Sequence, residues 1–164
     1  MIDTETQSLS PRLLVVDDDK IMRTLVIRGL TDAGFTEIRE AEDGLAAKAY
    51  LTEHTIDLVI TDMMMPGLNG LELIRWAKQH SPEIVWILFS SLGTFDAAVE
   101  AIHLGAFDFL AKPPNLKELE ISIRNALAQQ QLVAEKESLH RSLEQRVLQL
   151  EGLCRILGDQ AEQI

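Results

Sequence analysis

Leu13-Leu14-Val15-Val16-Asp17-Asp18-Asp19 is the stretch whose reading decides the fold. Four apolar residues in succession, two of them β-branched, suit a strand covered on both faces, as in a parallel sheet. Three carboxylates follow at the point where the chain must leave that sheet. Leu58-Val59-Ile60 and Val85-Trp86-Ile87-Leu88-Phe89 are two more runs of the same kind. Glu37-Ile38-Arg39-Glu40-Ala41 is more polar and Phe107-Asp108-Phe109-Leu110 is mixed, so both suit edge strands.

Helical patterns separate the runs. Ile21, Leu25, Val26, Gly29 and Leu30 predict one apolar face; Leu45, Ala49 and Tyr50 a second; Leu71, Ile74 and Ala77 a third; Phe95, Val99 and Ile102 a fourth. Gly34 and Gly105 stand where the first and fourth helices would need a C-terminal cap. A fifth helix starts near Leu116. Five strands alternating with helices imply an open, doubly wound α/β sheet, in which chemistry collects beyond the carboxyl ends of the strands.

Composition sets the outer limits. The chain has 164 residues, with 26 Asp and Glu against 15 Lys and Arg, a net charge of −11. That length supports one core of ordinary size plus an appendage. The acidic balance argues against nucleic-acid or membrane contact by this segment, since phosphates are gripped by Lys and Arg. The single cysteine, Cys154, excludes an internal disulfide. The longest uncharged run, Ile84 to Phe95, is too short to span a bilayer, and Met1 to Ser10 lacks the basic and apolar parts of a signal peptide. A cytoplasmic protein is expected. All five prolines lie at or before Pro114, and the chain beyond Asn115 is rich in Leu, Glu, Gln, Arg and Ala, which marks the internal boundary.

The polar residues at the strand ends form a pattern. Asp17, Asp18 and Asp19 follow the first strand, Asp62 the third, Ser90 the fourth and Lys112 the fifth. Carboxylates that close together must protonate or share a cation, and oxygen ligands suit Mg²⁺. A lysine and a hydroxyl on the same rim would hold the remaining oxygens of a phosphoryl group. Asp62, the isolated acid, is the candidate nucleophile, and Asp17 with Asp18 would gather the metal. Asp19 is read as a helix cap. Asn69 caps the helix after Asp62, and Gly70 is expected to supply a tight turn. Met63-Met64-Met65 is read as gap filling, and His54, His80, His103 and His140 as solvated surface.

These segments resemble a known family. Leu13 to Asp19, Ile60-Thr61-Asp62-Met63-Met64-Met65-Pro66-Gly67-Leu68-Asn69-Gly70, Leu88-Phe89-Ser90-Ser91 and Phe107-Asp108-Phe109-Leu110-Ala111-Lys112-Pro113 are similar, in that order, to the motifs of response-regulator receiver domains of bacterial two-component signalling. The resemblance covers residues 12–128 and implies a flavodoxin-like five-stranded parallel sheet of order 2-1-3-4-5 with five helices. It implies a phosphoacceptor rather than an enzyme, with Asp62 as the phosphorylation site and a sensor histidine kinase or phosphotransfer protein as donor. Mg²⁺ would be held by Asp18 and Asp62 directly, by Asp17 mostly through water, and by the Met64 backbone carbonyl. Ser90 would be the switch hydroxyl, Phe109 the switch aromatic and Lys112 the phosphoryl-binding cation, with a cis peptide expected at Lys112–Pro113. Two departures stand out: Pro114 replaces an aromatic frequent after that proline, and Leu92, in the loop after Ser91, sits near where the family varies side chains that tune dephosphorylation.

Residues 1–11 are expected to be a flexible N-terminal segment and 129–164 a coiled-coil linker. Leu143, Leu150, Leu157 and Ile164 recur every seven residues, with Leu139, Val147, Leu153 and Cys154 beside them and Arg146 interrupting the stripe. A homodimer through this helix is expected, with an output domain beyond Ile164. Two other readings stand beside this one. A haloacid-dehalogenase-type phosphohydrolase would use Asp17-Asp18-Asp19 as its Asp-x-Asp motif, but it lacks the acidic pair after the lysine region. A dimerising adaptor would leave Asp62 unphosphorylated.

Overall fold

The computed structural model describes residues 10–91 and 95–161, with side chains as far as residue 158. Most of the N-terminal segment, Leu92 and Ile164 therefore lie outside the described residues. The element order is β1 (Arg12–Val16), α1 (Lys20–Asp32), β2 (Glu37–Ala41), α2 (Gly44–Glu53), β3 (Leu58–Asp62), α3 (Gly70–His80), β4 (Val85–Ser90), α4 (Phe95–His103), β5 (Asp108–Ala111) and α5 (Leu116–Ala161). The five strands form one parallel sheet in the order β2-β1-β3-β4-β5, so β2 and β5 are the edges. This is the doubly wound α/β sheet that the alternating pattern predicts, in the flavodoxin-like order that the resemblance implies.

Each continuous apolar run divides between two cores, because successive strand side chains point to opposite faces. Leu13, Val15, Leu58, Ile60, Ile87 and Phe89 join Val26 and Leu30 of α1 and Leu119 and Ile123 of α5. Leu14, Val16, Val59, Trp86 and Leu88 pack with Ala47, Leu73, Ile74, Ala77 and Ala101 from α2, α3 and α4. The registers Val15↔Ile60↔Ile87 and Val16↔Thr61↔Leu88 bring the ends of β1, β3 and β4 level at one rim.

Capping residues set the helix starts at that rim. Asp19 accepts from the amides of Ile21 at 2.8 Å and Met22 at 3.3 Å, and Asp43 accepts from Ala46 at 2.7 Å. Asn69 and Glu72 make a reciprocal capping box at α3. Gly34 and Gly105 take the left-handed conformation after α1 and α4, as their placement predicts. Gly70 does not make a turn; Gly67 does, at φ 78°. A Cβ on Gly70 would lie 2.5 Å from the Asp62 carbonyl, so Gly70 is needed for close approach.

Three helix faces differ from the sequence expectation. Ile21 and Leu25 of α1 are exposed while Arg23 is buried. In α2 the buried residues are Gly44, Ala47 and Leu51, with Leu45 and Ala49 outside. In α4 Ala101 faces the sheet, and Phe95 and Ile102 face out. In α2 and α4 small residues let the helix approach the sheet closely, and larger apolar side chains turn outward. Met63 and Met65 fill the core as expected, whereas Met64 is exposed.

The chain divides into two compact units, at Leu127–Ala128, within α5. The second is a single helix whose Leu139, Leu143, Val147, Leu150, Leu153 and Leu157 are all more than half exposed. Among the described residues no helix is long and apolar enough to cross a membrane.

At the opposite end of the sheet Arg12 holds Asp57 through Nε at 3.1 Å and Nη2 at 3.0 Å, and its amide donates to the same carboxylate at 2.8 Å. Burial raises the Asp57 carboxyl, but these bonds outweigh it and hold the group below its ordinary value of 3.8. Asp57→Asn is expected to lower unfolding free energy by about 1 kcal/mol at pH 7. A carboxylate with a depressed folded pKa stabilises fully above the ordinary value and loses that contribution as pH falls through the folded one. Urea unfolding of wild type and variant should therefore converge in strong acid; a constant gap would refute the assignment.

Candidate functional site

The acidic rim forms where β1 and β3 end. Asp17 is the first residue beyond β1, and Asp62 is the last of β3, at the centre of the sheet. Both are buried, at 2% and 6% exposure, while Asp18 is exposed. One carboxylate oxygen from each of the three lies within 4.8 Å of the others. Three hard oxygen donors around one point match the coordination chemistry of Mg²⁺.

Lys112, the first residue after β5, enters the same rim. Its Nζ donates to Asp17 Oδ2 at 2.6 Å and to Asp62 Oδ2 at 2.9 Å. Its backbone amide donates to the Ser90 carbonyl at 2.8 Å, which ties the lysine to the end of β4. Burial opposes its charge, yet the two carboxylates hold Lys112 above the ordinary lysine value. Burial pushes the Asp62 carboxyl up, and the nearby Asp17 charge adds to this, against the opposing pull of Lys112 and the Met64 amide. The other carboxylate oxygens are also engaged: Asp17 Oδ1 accepts from the Asp19 amide at 2.9 Å, and Asp62 Oδ1 from the Met64 amide at 3.2 Å.

Ser90 ends β4 with its side chain buried. Phe109 is half-buried in β5, paired in register with Leu88 and packed on the core beneath α2, α3 and α4. The Lys112–Pro113 peptide is cis. Asp17, Asp18, Asp62 and Lys112 are thus brought together. Asp19 serves as a cap, and the four histidines are exposed, two of them stacked on aromatic neighbours, His54 on Tyr50 and His80 on Trp76.

Two buried polar groups near the rim and behind it are absent from the sequence reading. Arg23 of α1 donates through Nη1 to the Asp17 carbonyl at 2.8 Å and through Nε to Glu40 at 3.3 Å. Ser122 of α5 donates to Asp108 Oδ2 at 2.6 Å, while Asp108 Oδ1 takes the Phe109 amide at 2.8 Å. Each sits at an apolar-face position of its helix, and that phase is the only sequence signal that would have found it. Beside the rim, Asp18, Lys20, Arg23, Glu42, Asp43 and Pro66 line a shallow open cavity of about 310 Å³.

A flavodoxin-like sheet with three carboxylates and a lysine converging on its carboxyl rim defines a class of protein with an acidic, cation-ready centre. The model of the response regulator receiver domain matches residues 13–124, and the chain belongs to that family. It is 37% identical over 137 residues to the C4-dicarboxylate transport transcriptional regulatory protein DctD of Rhizobium meliloti, a match covering 84% of this chain and 30% of DctD. It is also 37% identical over 117 residues to the DNA-binding transcriptional regulator NtrC of Salmonella typhimurium, covering 71% of this chain and 25% of NtrC. A response regulator receiver domain protein from Clostridium thermocellum superposes with a TM-score of 0.69 at 31% identity, over 75% of this chain and 98% of that one. The chain spans less than a third of these two curated relatives. Receivers as a family are phosphorylated on aspartate by histidine kinases or phosphotransfer proteins and bind Mg²⁺ in an acidic pocket.

Removing the ammonium should expose the repulsion it masks. In EDTA, Lys112→Met is expected to lose about 3 kcal/mol of stability, as for a broken buried ion pair. Denaturant unfolding should show a larger loss at pH 8 than at pH 5, because burial already pushes the Asp62 carboxyl up and its protonation relieves the repulsion. An equal loss at both values would mean that Lys112 acts by packing alone.

Proposed function

We propose that the chain is a phosphorylation-controlled switch in which Asp62 accepts a phosphoryl group from a phosphohistidine donor. The observation that carries this is the position of Asp62: it ends the central strand, with Asp17 on one side and Lys112 within hydrogen-bond distance. Under this reading an Asp62 carboxylate oxygen attacks phosphorus, a P–O bond forms, the P–N bond to the donor imidazole breaks, and the imidazole leaves with the electron pair. Bound at Asp17, Asp18, Asp62 and the Met64 carbonyl, Mg²⁺ would supply charge neutralisation for the transferred oxygens. Lys112 would move from its carboxylate partners to a phosphoryl oxygen, and the Met64 amide would donate to another. Asp17 is the poorer nucleophile, since its side chain is the more deeply buried of the pair.

The added charge would be read by Ser90 and Phe109, which lie on the neighbouring strands β4 and β5. Phe109 adjoins Asp108, and Asp108 is bonded to Ser122 of α5, so a shift of β5 has a direct side-chain link to that helix. The helix 128–158 would carry the state onward as a homodimer of this chain, in keeping with its row of half-exposed leucines at heptad spacing. An output beyond Ile164 would then be controlled by the geometry of that pair.

Acetyl phosphate with Mg²⁺ should add one phosphoryl group to the wild-type chain by intact mass, and Asp62→Asn should abolish the addition. Equal labelling of the variant would move the acceptor elsewhere, and labelling lost in Asp17→Asn alone would favour the phosphohydrolase reading.

In sedimentation equilibrium at tens of micromolar, the wild type is expected as a dimer and Leu150→Lys with Leu157→Lys as a monomer. A monomeric wild type would remove the helix from the proposed relay.

A further inference from the structure

Arg23 is a buried cation, 8% exposed, beside an acidic rim that already has its own lysine. It comes from the first turn of α1, the helix capped by Asp19. Its guanidinium is not paired with any carboxylate of the rim. Nη1 donates instead to the backbone carbonyl of Asp17 at 2.8 Å, and Nε reaches Glu40 on the edge strand β2 at 3.3 Å.

That carbonyl lies one residue past β1, outside the ladder that pairs Val16 with Thr61 and Ala41. A buried carbonyl without a ladder partner needs a donor. The Asp17 amide is tied to the Ala41 carbonyl at 3.3 Å, and the Asp17 carboxylate accepts from the Asp19 amide. Arg23 therefore holds the carbonyl of the peptide between Asp17 and Asp18, the two residues whose carboxylates would face a metal. A guanidinium suits this task because its rigid fork bonds in two directions at once.

We propose that Arg23 is a positioning residue for the acidic rim: by fixing the Asp17–Asp18 peptide it sets the affinity of the site for divalent cation. The inference rests on the reading above that Asp17, Asp18 and Asp62 take Mg²⁺. Charge and geometry make opposite predictions here. As a nearby positive charge alone, Arg23 would repel Mg²⁺, and its removal would tighten binding. As a positioning group, its removal loosens the carboxylates and weakens binding, on the order of ten-fold for outer residues of metal sites.

Calorimetric titration of the full chain with MgCl₂ decides between them, with thermal unfolding in EDTA as the measure of fold. Arg23→Met, which keeps the apolar stem, is expected to raise the Mg²⁺ dissociation constant about ten-fold. Arg23→Lys keeps the charge but loses the fork, and is expected to weaken binding by a smaller factor; it carries the test if the methionine variant does not fold. Glu40→Gln, which leaves the bond to Asp17 intact, should change the constant least. Unchanged or tighter Mg²⁺ binding in the folded variants would overturn the proposal, even if their melting temperatures fall. If the wild type itself takes up no Mg²⁺, the metal assignment of the preceding section fails and the positioning role fails with it; if only the variants match wild type, the positioning role fails alone.

Discussion

The bridge from Lys112 to Asp17 and Asp62 is the constraint on which the rest of the rim depends. Two carboxylates buried at the ends of adjacent strands repel each other, and burial pushes the Asp62 carboxyl up. One ammonium between them opposes both effects, provided that it arrives on the same rim. Lys112 does so because β5 runs parallel to β3 and is separated from it only by β4. An antiparallel β5 would deliver its C-terminal residue to the far end of the sheet. The parallel topology and the site are therefore a single requirement, and the hydrogen bond from the Lys112 amide to the Ser90 carbonyl sets the approach.

This coupling explains what was legible in the sequence. Strand cores announce themselves as uninterrupted apolar runs, and the residue that follows each run must lie on the rim. Asp17 and Ser90 follow from that rule directly and Asp62 one residue further on, whereas Lys112 ends a mixed edge strand that the rule marks less clearly. The helix faces were far less legible. A search for large apolar residues at helical spacing selects Leu45, Phe95 and Ile102, all of which face outward. Inward positions include Gly44, Ala47 and Ala101, whose small side chains carry little weight in a hydrophobicity pattern. Packing against a flat sheet rewards close approach as much as apolar area, and close approach is a property of shape.

Arg23 and Ser122 escaped for a related reason. Each sits among apolar residues on the inner side of its helix and would by composition be assigned to solvent. What holds each inside is one specific acceptor contributed by a distant element: a carbonyl freed by the end of the β1 ladder, and a carboxylate at the start of β5. Such acceptors exist only once the sheet is assembled, so no local pattern encodes them. Neither group is left without a partner, and no buried side-chain polar atom among the described residues lacks one. Polar groups in this core are thus markers of junctions between elements.

Charge balance at the rim shows why phosphorylation would act as a switch there. Three carboxylates and one ammonium leave the rim short of neutrality by the charge of one divalent ion. With that ion bound, the proposed site is balanced and has no electrostatic reason to rearrange. Converting the Asp62 carboxylate to an acyl phosphate replaces about one negative charge by about two at neutral pH. Lys112 is already counted in that balance, and Arg23 is committed to a backbone carbonyl and Glu40. Under the proposed reading the excess would be taken up on the neighbouring strand, where the buried hydroxyl of Ser90 stands at the end of β4. In the proposed switch, a site balanced before modification and one charge out after it would respond toward β4 and β5 and, through the bond between Asp108 and Ser122, toward α5.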